Sequence, residues 1–252
     1  MPEITSYKDG QFCWADLATS DQKAAKTFYS SVFGWSVNDM PMGDAGVYSM
    51  MQIRGKDVVA IAGMQDAEKK QGVPPHWNNY VAVSNVDAFA KKAKSLGANV
   101  VAPPFDVMDA GRMALIADPQ GAMLCIWQAK NSIGAEINNE NNTMCWNELM
   151  TSNIDAARKF YSGLFDWKLK VSPEYTEIHV GDRGVGGMMQ MDGLPPNWIP
   201  YFAVADADAA AKKIKSAGGK IHKPPTDIPN TGRFSVVADP QGAWFAIIQI
   251  KM

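Results

Sequence analysis

The chain has 252 residues, a hydrophobic content of 46% and a formal net charge of −2 at pH 7. This composition supplies an ample core for one large domain or for two of ordinary size. The small net charge and the absence of a long basic or a long apolar run argue against a nucleic acid or a membrane as a partner.

A strand and an amphipathic helix open the predicted order of elements. The strand covers residues 12–17, and Ser20-Asp21 supplies an N-cap for a helix that ends in Phe28-Tyr29, shortly before Trp35. Apolar residues recur along this helix at helical spacing, which gives it one buried face. Two short strands follow, at residues 46–53 and 58–64.

The second half of this unit begins after a proline-rich loop. A strand and a helix are predicted at residues 80–83 and 86–96, and Gly97 ends the helix. Three more strands follow. The last two are separated by Asp118-Pro119-Gln120-Gly121, a tight-turn sequence. The pattern therefore predicts a βαβββ unit followed by a second one.

The remainder of the chain repeats these landmarks. Trp14, Tyr29 and Trp35 recur at one constant offset, and Trp77, Tyr80, Asp118 and Gly121 recur at a second, slightly shorter offset. A net deletion in the second copy explains the difference. The repeat predicts two homologous domains, residues 1–130 and 143–252, joined by a polar linker at residues 131–142.

Three cysteines bear on the cellular compartment. Cys13 and Cys145 occupy the same position in the two copies, and Cys125 has no cysteine counterpart. No C-x-x-C motif is present, and the amino terminus has no apolar signal core. We therefore expect free thiols and a cytoplasmic protein.

Two motifs carry a resemblance to a known family. The helix that ends in Phe-Tyr before a Phe-Gly-Trp, and the Asp-Pro-x-Gly turn before the last strand, resemble the vicinal oxygen chelate superfamily. This superfamily includes glyoxalase I, bleomycin-resistance proteins and extradiol dioxygenases. The resemblance covers residues 12–128 and 143–250. It implies an α+β fold in which each domain's pair of βαβββ units forms a curved, partly open sheet, with helices outside and a small-molecule pocket inside.

The resemblance also implies where metal ligands would lie. Family enzymes usually place His, Gln or carboxylate ligands at positions that correspond here to Trp14, Asn78 and Cys125 in the first domain, and to Trp146, Ile199 and Ala246 in the second. A divalent metal needs three or four convergent donors, and tryptophan and alanine supply none. We therefore expect no family metal site and no cofactor.

Aromatic and acidic side chains take the place of the metal ligands. By strand alternation Phe12, Trp14 and Asp16 share one face, as do Met144, Trp146 and Glu148, with Cys13 and Cys145 on the other face. A carboxyl group in an apolar pocket has a raised pKa and suits acid–base chemistry. The predicted catalytic residues are Asp16, Glu148 and His179. The predicted binding residues are Trp14, Tyr48, Trp77, Cys125, Trp146, Tyr175 and Trp198.

Each assignment has a structural alternative. The paired tryptophans are also compatible with a closed core, His179 with a solvated strand face and Cys125 with an inert buried thiol. Arg112 and Arg233 are candidate partners that would satisfy Asp16 and Glu148 without any ligand.

The leading hypothesis is a protein of the glyoxalase and bleomycin-resistance type that binds a small organic ligand without a metal. It would sequester the ligand or perform acid–base chemistry on it, so the question of enzymatic activity stays open. The alternatives are a metal-dependent glyoxalase-like lyase or dioxygenase, and a non-catalytic interaction protein with filled pockets. Two domains in one chain can form an internal pseudo-dimer, so we expect a monomer or a weak homodimer.

Overall fold

The computed structural model describes residues 4–43 and 46–251, and the first domain forms one eight-stranded mixed sheet. The strand order is β2-β3-β4-β1-β5-β8-β7-β6. The elements are β1 (Phe12–Thr19), α1 (Gln22–Phe33), β2 (Ser36–Pro41), β3 (Val47–Ile53), β4 (Lys56–Gly63), α2 (Asp66–Lys70), β5 (His76–Ala82), α3 (Val86–Ser95), β6 (Asn99–Val107), β7 (Gly111–Ala117) and β8 (Met123–Ala129).

The second domain repeats this sheet with the order β10-β11-β12-β9-β13-β16-β15-β14. The predicted α+β fold with tandem βαβββ units is confirmed. The elements are β9 (Met144–Thr151), α4 (Ile154–Phe165), β10 (Lys168–Val171), β11 (Thr176–Val180), β12 (Arg183–Gln190), β13 (Asn197–Ala203), α5 (Ala207–Ser216), β14 (Lys220–Ile228), β15 (Gly232–Ala238) and β16 (Trp244–Ile250). Every helix in the described part of the chain is too short or too polar to span a bilayer.

Local sequence explains the ends of the long helices. The Asp21 side chain accepts a hydrogen bond from the Ala24 amide at 2.9 Å, which caps the amino terminus of α1. Gly34 ends the helix in the left-handed conformation, at φ 73°. In α4 the corresponding roles fall to Asn153 and Asp166. These caps fix the length of each helix and therefore the point at which the chain returns to the sheet.

One hydrophobic core joins the helices of both domains to one face of each sheet. Tyr29 and Phe33 of α1 pack against Phe245 of β16, with ring centroids 5.5 and 6.1 Å apart. Phe89 of α3 stacks on Phe165 of α4, which is a second contact between the domains. Each domain therefore buries a helix of the other. The other face of each sheet lies outside this core and contacts none of its helices. We call it the inner face.

The two motifs that carry the family resemblance meet across the domain interface. The Tyr29 hydroxyl accepts a hydrogen bond from Trp77 Nε1 at 3.2 Å and donates one to Asp239 Oδ2 at 3.1 Å. In the mirror arrangement, Trp198 Nε1 donates to the Tyr161 hydroxyl at 2.8 Å, and Tyr161 faces Asp118. The Phe-Tyr and Asp-Pro-x-Gly motifs thus hold the two domains together through buried polar contacts.

A β-bulge corrects the assignment of residues to faces on the first strand of each domain. The register of β1 against β5 shifts between Phe12 and Trp14, so one extra residue lies on β1. Phe12 therefore enters the shared core, 5.2 Å from the Trp198 ring, whereas Cys13 lies with Trp14 on the inner face. Strict alternation had placed both Phe12 and Cys13 on the wrong face.

The same correction applies to the second domain. The register of β13 against β9 shifts at the corresponding place, between Tyr201 and Phe202. Met144 joins the shared core, and Cys145 packs with Trp146 on the inner face.

The segment between the two sheets covers the inner face of the first domain. The Ala135 amide donates a hydrogen bond to the Cys13 carbonyl at 2.8 Å, and the Ala135 carbonyl accepts one from the Tyr7 hydroxyl at 2.7 Å. Trp127 Nε1 donates to the Ser132 carbonyl at 3.0 Å. Residues 132–137 are called the covering segment.

Candidate functional site

A buried carboxylate on β1 accepts hydrogen bonds from polar side chains of two other strands, β3 and β5. Asp16 Oδ2 accepts hydrogen bonds from the hydroxyls of Tyr48 and Tyr80 at 2.9 and 2.7 Å, and Oδ1 accepts one from Asn78 Nδ2 at 2.9 Å. Trp14 Nε1 donates to the Tyr48 hydroxyl at 2.9 Å. Tyr80 and Asn78 reach the carboxylate because β5 pairs with β1 in this register.

The second domain builds the same group around Glu148. Its Oε2 and Oε1 atoms accept hydrogen bonds from the hydroxyls of Tyr175 and Tyr201 at 2.9 and 2.8 Å. Trp146 Nε1 donates to the Tyr175 hydroxyl at 2.9 Å. We call each set the Trp-Tyr-carboxylate group. The second group has no counterpart of the Asn78 donor, because Ile199 stands opposite Glu148 in the strand register.

Tyrosines, and not arginines, are the partners of the buried acids. Arg112 forms its ion pair with Asp87 at 2.8 Å, and Arg233 pairs with Asp208 at 2.7 Å. Both pairs lie at the surface. The alternative in which these arginines neutralise Asp16 and Glu148 is therefore wrong.

Burial controls the protonation of the group. It raises the pKa of Asp16, and the hydrogen bonds from Asn78, Tyr80 and Tyr48 offset only part of that rise. Burial likewise raises the pKa of Glu148, against the hydrogen bonds from Tyr201 and Tyr175. Burial and the adjacent carboxylates also raise the pKa of each of the four tyrosines, so these remain hydroxyl donors at neutral pH.

The raised pKa of Glu148 predicts a pH-dependent stability. A carboxyl whose pKa is raised by folding contributes stability below its unfolded pKa of 4.5, and this contribution is lost as pH rises through the folded pKa. Relative to Glu148→Gln, the wild type should therefore lose free energy of unfolding as pH rises above about 4.5, by about 1.4 kcal/mol per unit of pKa shift. Urea unfolding at a series of pH values measures this difference.

Glu174→Gln serves as the matched control, since Glu174 is an exposed carboxyl on the same domain. It should leave the pH profile unchanged. A wild type that gains stability relative to Glu148→Gln as pH rises would show that the buried acid is stabilised in its charged form.

His179 lies near this group but not on its carboxylate. Its Nε2 pairs with Glu177 Oε2 at 3.0 Å, and Glu177 also faces Lys170. A β-carbon at Gly184 would lie 3.2 Å from the Trp146 ring and 3.8 Å from His179, so both rings lie close to Gly184. Glu148, in contrast, accepts its hydrogen bonds from Tyr175 and Tyr201.

The remaining candidates divide between the two faces of the sheets. Cys125 is buried on the inner face of the first domain beside Tyr80, and burial raises the pKa of its thiol. This protonated thiol is a poor nucleophile. The structure does not bring Trp77 and Trp198 to the Trp-Tyr-carboxylate groups, because they stand opposite Leu17 and Leu149 in the strand register and point into the shared core.

Several residues of the group were not among the predicted site residues. They are Asn78, Tyr80 and Tyr201, which donate to the acids, and Gly187, whose missing side chain makes room for Tyr175. The signal for the two tyrosines was their recurrence at equivalent positions in both copies. The signal for Gly187 was absent, since a Gly-Gly pair in a strand has many explanations.

The two groups differ in their access to solvent. Trp14 is 7% exposed and lies beneath the covering segment. In the second domain Trp146 and Tyr175 are partly exposed, as are Phe234 and Trp244 on the same face. Tyr48 and Asn78 of the first group are also partly exposed, so the two groups differ chiefly in the exposure of the tryptophan, which is greater in the second.

Comparison with known proteins places this geometry in context. A family model described as the Glyoxalase/Bleomycin resistance protein/Dioxygenase superfamily matches residues 11–126 and 141–247. A Mycobacterium tuberculosis protein provisionally named as the glyoxylase CFP32 is 45% identical, over 99% of this chain and 98% of its own. The anthracycline biosynthesis protein DnrV of Streptomyces peucetius is 32% identical, over 98% and 96%.

Solved structures share the fold at low identity. The Mn(II)-bound glyoxalase from Novosphingobium aromaticivorans has a TM-score of 0.69 at 14% identity, over 96% of this chain and 82% of its own. The 2,3-dioxygenase LapB from Pseudomonas sp. KL28 has a TM-score of 0.67 at 12% identity, over 98% and 94%. The resemblance drawn from the two motifs is confirmed.

The side chains present here do not fit the metal that one of these neighbours carries. Among the described residues, no three His, Cys, Asp or Glu side chains converge on a point where they could hold a metal ion. The oxygens of Asp16 and Glu148 instead accept hydrogen bonds from tyrosine hydroxyls. A divalent cation at either acid would meet a single carboxylate, beside tyrosine hydroxyls and, in the first domain, the Asn78 amide, so it would lack the convergent set of His, Cys, Asp or Glu ligands.

Proposed function

We propose, on the premise that this chain belongs to the Glyoxalase/Bleomycin resistance protein/Dioxygenase superfamily, that its second domain binds a small planar organic molecule without a metal. Glu148 would serve as the acid–base group of this site. The observation that carries the proposal is the Trp-Tyr-carboxylate group, which is built twice and is accessible in the second copy.

The wall around Glu148 suits a flat apolar ligand. Trp146, Tyr175 and Phe234 offer partly exposed aromatic surface on one face of the sheet. Aromatic rings pack well against planar molecules and lose little conformational entropy on binding. The site therefore combines a stacking surface with a buried proton donor.

Proton transfer would pass through a tyrosine. Glu148 is only 8% exposed and Tyr201 is more deeply buried, so a ligand on the inner face would contact the partly exposed Tyr175 before it reaches the acid. The Tyr175 hydroxyl donates to Glu148 and accepts from Trp146, which fixes its orientation. A proton held by Glu148 can thus exchange with a bound molecule through this hydroxyl.

The relatives support an organic ligand rather than a macromolecular one. One is named for a glyoxylase activity and another for anthracycline biosynthesis, and both names refer to small organic compounds. This chain spans nearly the full length of both.

Saturation-transfer NMR with a panel of small aromatic acids, amides and amines tests the proposal. The wild type should bind at least one class, and Trp146→Phe should weaken that binding about tenfold, because it removes indole surface and the hydrogen bond to Tyr175. Trp14→Phe is the matched variant in the covered first domain and should change binding less than twofold.

Three outcomes would overturn the proposal. The first is the absence of binding across the panel, and the second is an equal loss of binding in the two tryptophan variants. The third is stoichiometric Mn, Fe, Ni or Zn, measured by mass spectrometry in protein purified without a polyhistidine tag. Such a metal would favour a metal-dependent lyase or dioxygenase.

A further inference from the structure

The edge of the second sheet carries side chains that the first sheet lacks. Strands β14, β15 and β16 place charged and aromatic residues where the first domain has small or aliphatic ones. His222, Lys223, Phe234 and Trp244 stand at the positions of Val101, Ala102, Met113 and Met123. The two copies thus differ at one coherent patch, although their carboxylate groups are built alike.

These four side chains form two stacked pairs. The His222 and Trp244 rings lie 3.9 Å apart at an interplanar angle of 23°. Lys223 Nζ lies 4.7 Å from the centre of the Phe234 ring, and Phe234 in turn stacks on Tyr201 at 6.3 Å. Both pairs are anchored by rings, which restricts the motion of the basic groups.

The strand register connects this patch to Glu148. Lys223 stands opposite Val236, Val236 stands opposite Ala246, and Ala246 pairs with Tyr201. Val236, Ala246 and Tyr201 all belong to the inner-face cluster, so Lys223 lies on the same face. The patch therefore continues the aromatic wall of the proposed site outward from the tyrosine that binds Glu148.

The basic groups of the patch face solvent without an acidic partner. Lys223 and His222 are exposed, and no carboxylate of the described residues forms an ion pair with either. Burial raises the pKa of Glu148, and the Lys223 charge acts in the opposite direction. On the opposite wall, Glu177 is already engaged by His179 and Lys170.

We infer that the ligand of the second domain is a planar organic anion, such as an aromatic carboxylate or phenolate. Its ring would stack on the inner-face aromatics, and its anionic oxygen would bind Lys223 Nζ and the His222 ring. This inference rests on the proposed function and adds the charge of the ligand. Charge-assisted hydrogen bonds of this kind give selectivity over neutral and cationic analogues.

Three probes of one shape test the inference: 2-naphthoate, 2-naphthamide and 2-naphthylmethylamine. Calorimetric titration should show that naphthoate binds about tenfold more tightly than the amide and the amine. Lys223→Met, which keeps an unbranched side chain as far as the ε position and removes the ammonium group, should remove this preference and leave naphthamide binding within twofold. Lys212→Met, on an exposed turn of α5, is the control and should keep the preference.

The outcomes separate the two proposals. If the three probes bind equally to the wild type, or if the amine binds best, the inference of an anionic ligand is overturned and the proposed binding site stands. If naphthoate is preferred but Lys223→Met keeps the preference, the recognising group is not Lys223 and the inference fails. If none of the probes and none of the wider panel binds, the proposed function falls and this inference with it.

Discussion

Gly187→Ala should destabilise the second domain by about 3 kcal/mol, because it displaces a tyrosine from a buried carboxyl group. A β-carbon at Gly187 would overlap with the Tyr175 hydroxyl oxygen. Tyr175 would have to withdraw, and Glu148 and Trp146 would each lose a hydrogen bond. Urea unfolding at pH 7 measures the loss, and near-ultraviolet circular dichroism reports the changed environment of Trp146.

Comparison with the first domain explains why glycine is required opposite Glu148 but not opposite Asp16. Ala60 occupies the corresponding position, opposite Asp16 in the parallel register, as Gly187 stands opposite Glu148. Glutamate is longer than aspartate by one methylene, so its carboxylate extends further across the face. The tyrosine that bonds to it then occupies the space of a β-carbon on the neighbouring strand.

This pairing supplies a control and a rescue. Ala60→Gly should cost only about 1 kcal/mol, since it adds backbone entropy to the unfolded chain without moving Tyr48. Glu148→Asp combined with Gly187→Ala copies the first domain's pair, and its loss should be smaller than the sum of the two single losses. Strict additivity of the two substitutions would contradict the coupling between acid length and strand glycine.

The fold followed from the sequence because its strongest signals are local and repeated. Trp14 and Trp146, and the Asp-Pro-Gln-Gly turns that begin at Asp118 and Asp239, align the copies without any knowledge of contacts. Strand β2 escaped detection because all six of its residues are exposed, so no apolar alternation marks it. Strand β10 has only four residues, too few to establish a period.

The site followed only in part, because strand register is a property of the folded chain. Two-residue spacing placed Trp14 and Asp16 on one face, and the structure places them there. Whether Tyr80 or Trp77 joins them depends on which residue of β5 stands opposite Asp16, and nothing in the sequence specifies this. The bulge beside Cys13 is a further non-local feature, since it appears only when the two strands pair.

The covering segment was equally hidden, although one residue in it is critical. Residues 131–142 look like a polar linker, yet Ser132 and Ala135 contact the inner face of the first domain, and Ile137 joins the shared core. The two copies of the Trp-Tyr-carboxylate group therefore differ in accessibility for a reason that lies outside the repeat. Loss of this cover should make the first group resemble the second.

Gly134→Ala should cost about 4 kcal/mol and detach the covering segment from the first domain. Gly134 has a φ of 98°, which strains any residue with a β-carbon, and that carbon would overlap with the Cys13 carbonyl oxygen. The nearest atoms to this β-carbon belong to the Cys13 backbone, so no flexible side chain can move aside to relieve the overlap. The hydrogen bond from the Ala135 amide to the same carbonyl would be lost as the segment moves away.

Acrylamide quenching and hydrogen exchange distinguish this local release from general loss of stability. In Gly134→Ala, faster exchange should be confined to residues 132–137 and β1, and Trp14 should become accessible to quencher while the second domain keeps its protection. Gly163→Ala is the control. Gly163 lies within α4, and its β-carbon would meet Leu96 at an ordinary 3.5 Å. This substitution should therefore stabilise the helix by about 0.5–1 kcal/mol. Uniformly faster exchange in both domains of Gly134→Ala would mean that the segment supports the whole molecule, rather than closing one of its two inner faces.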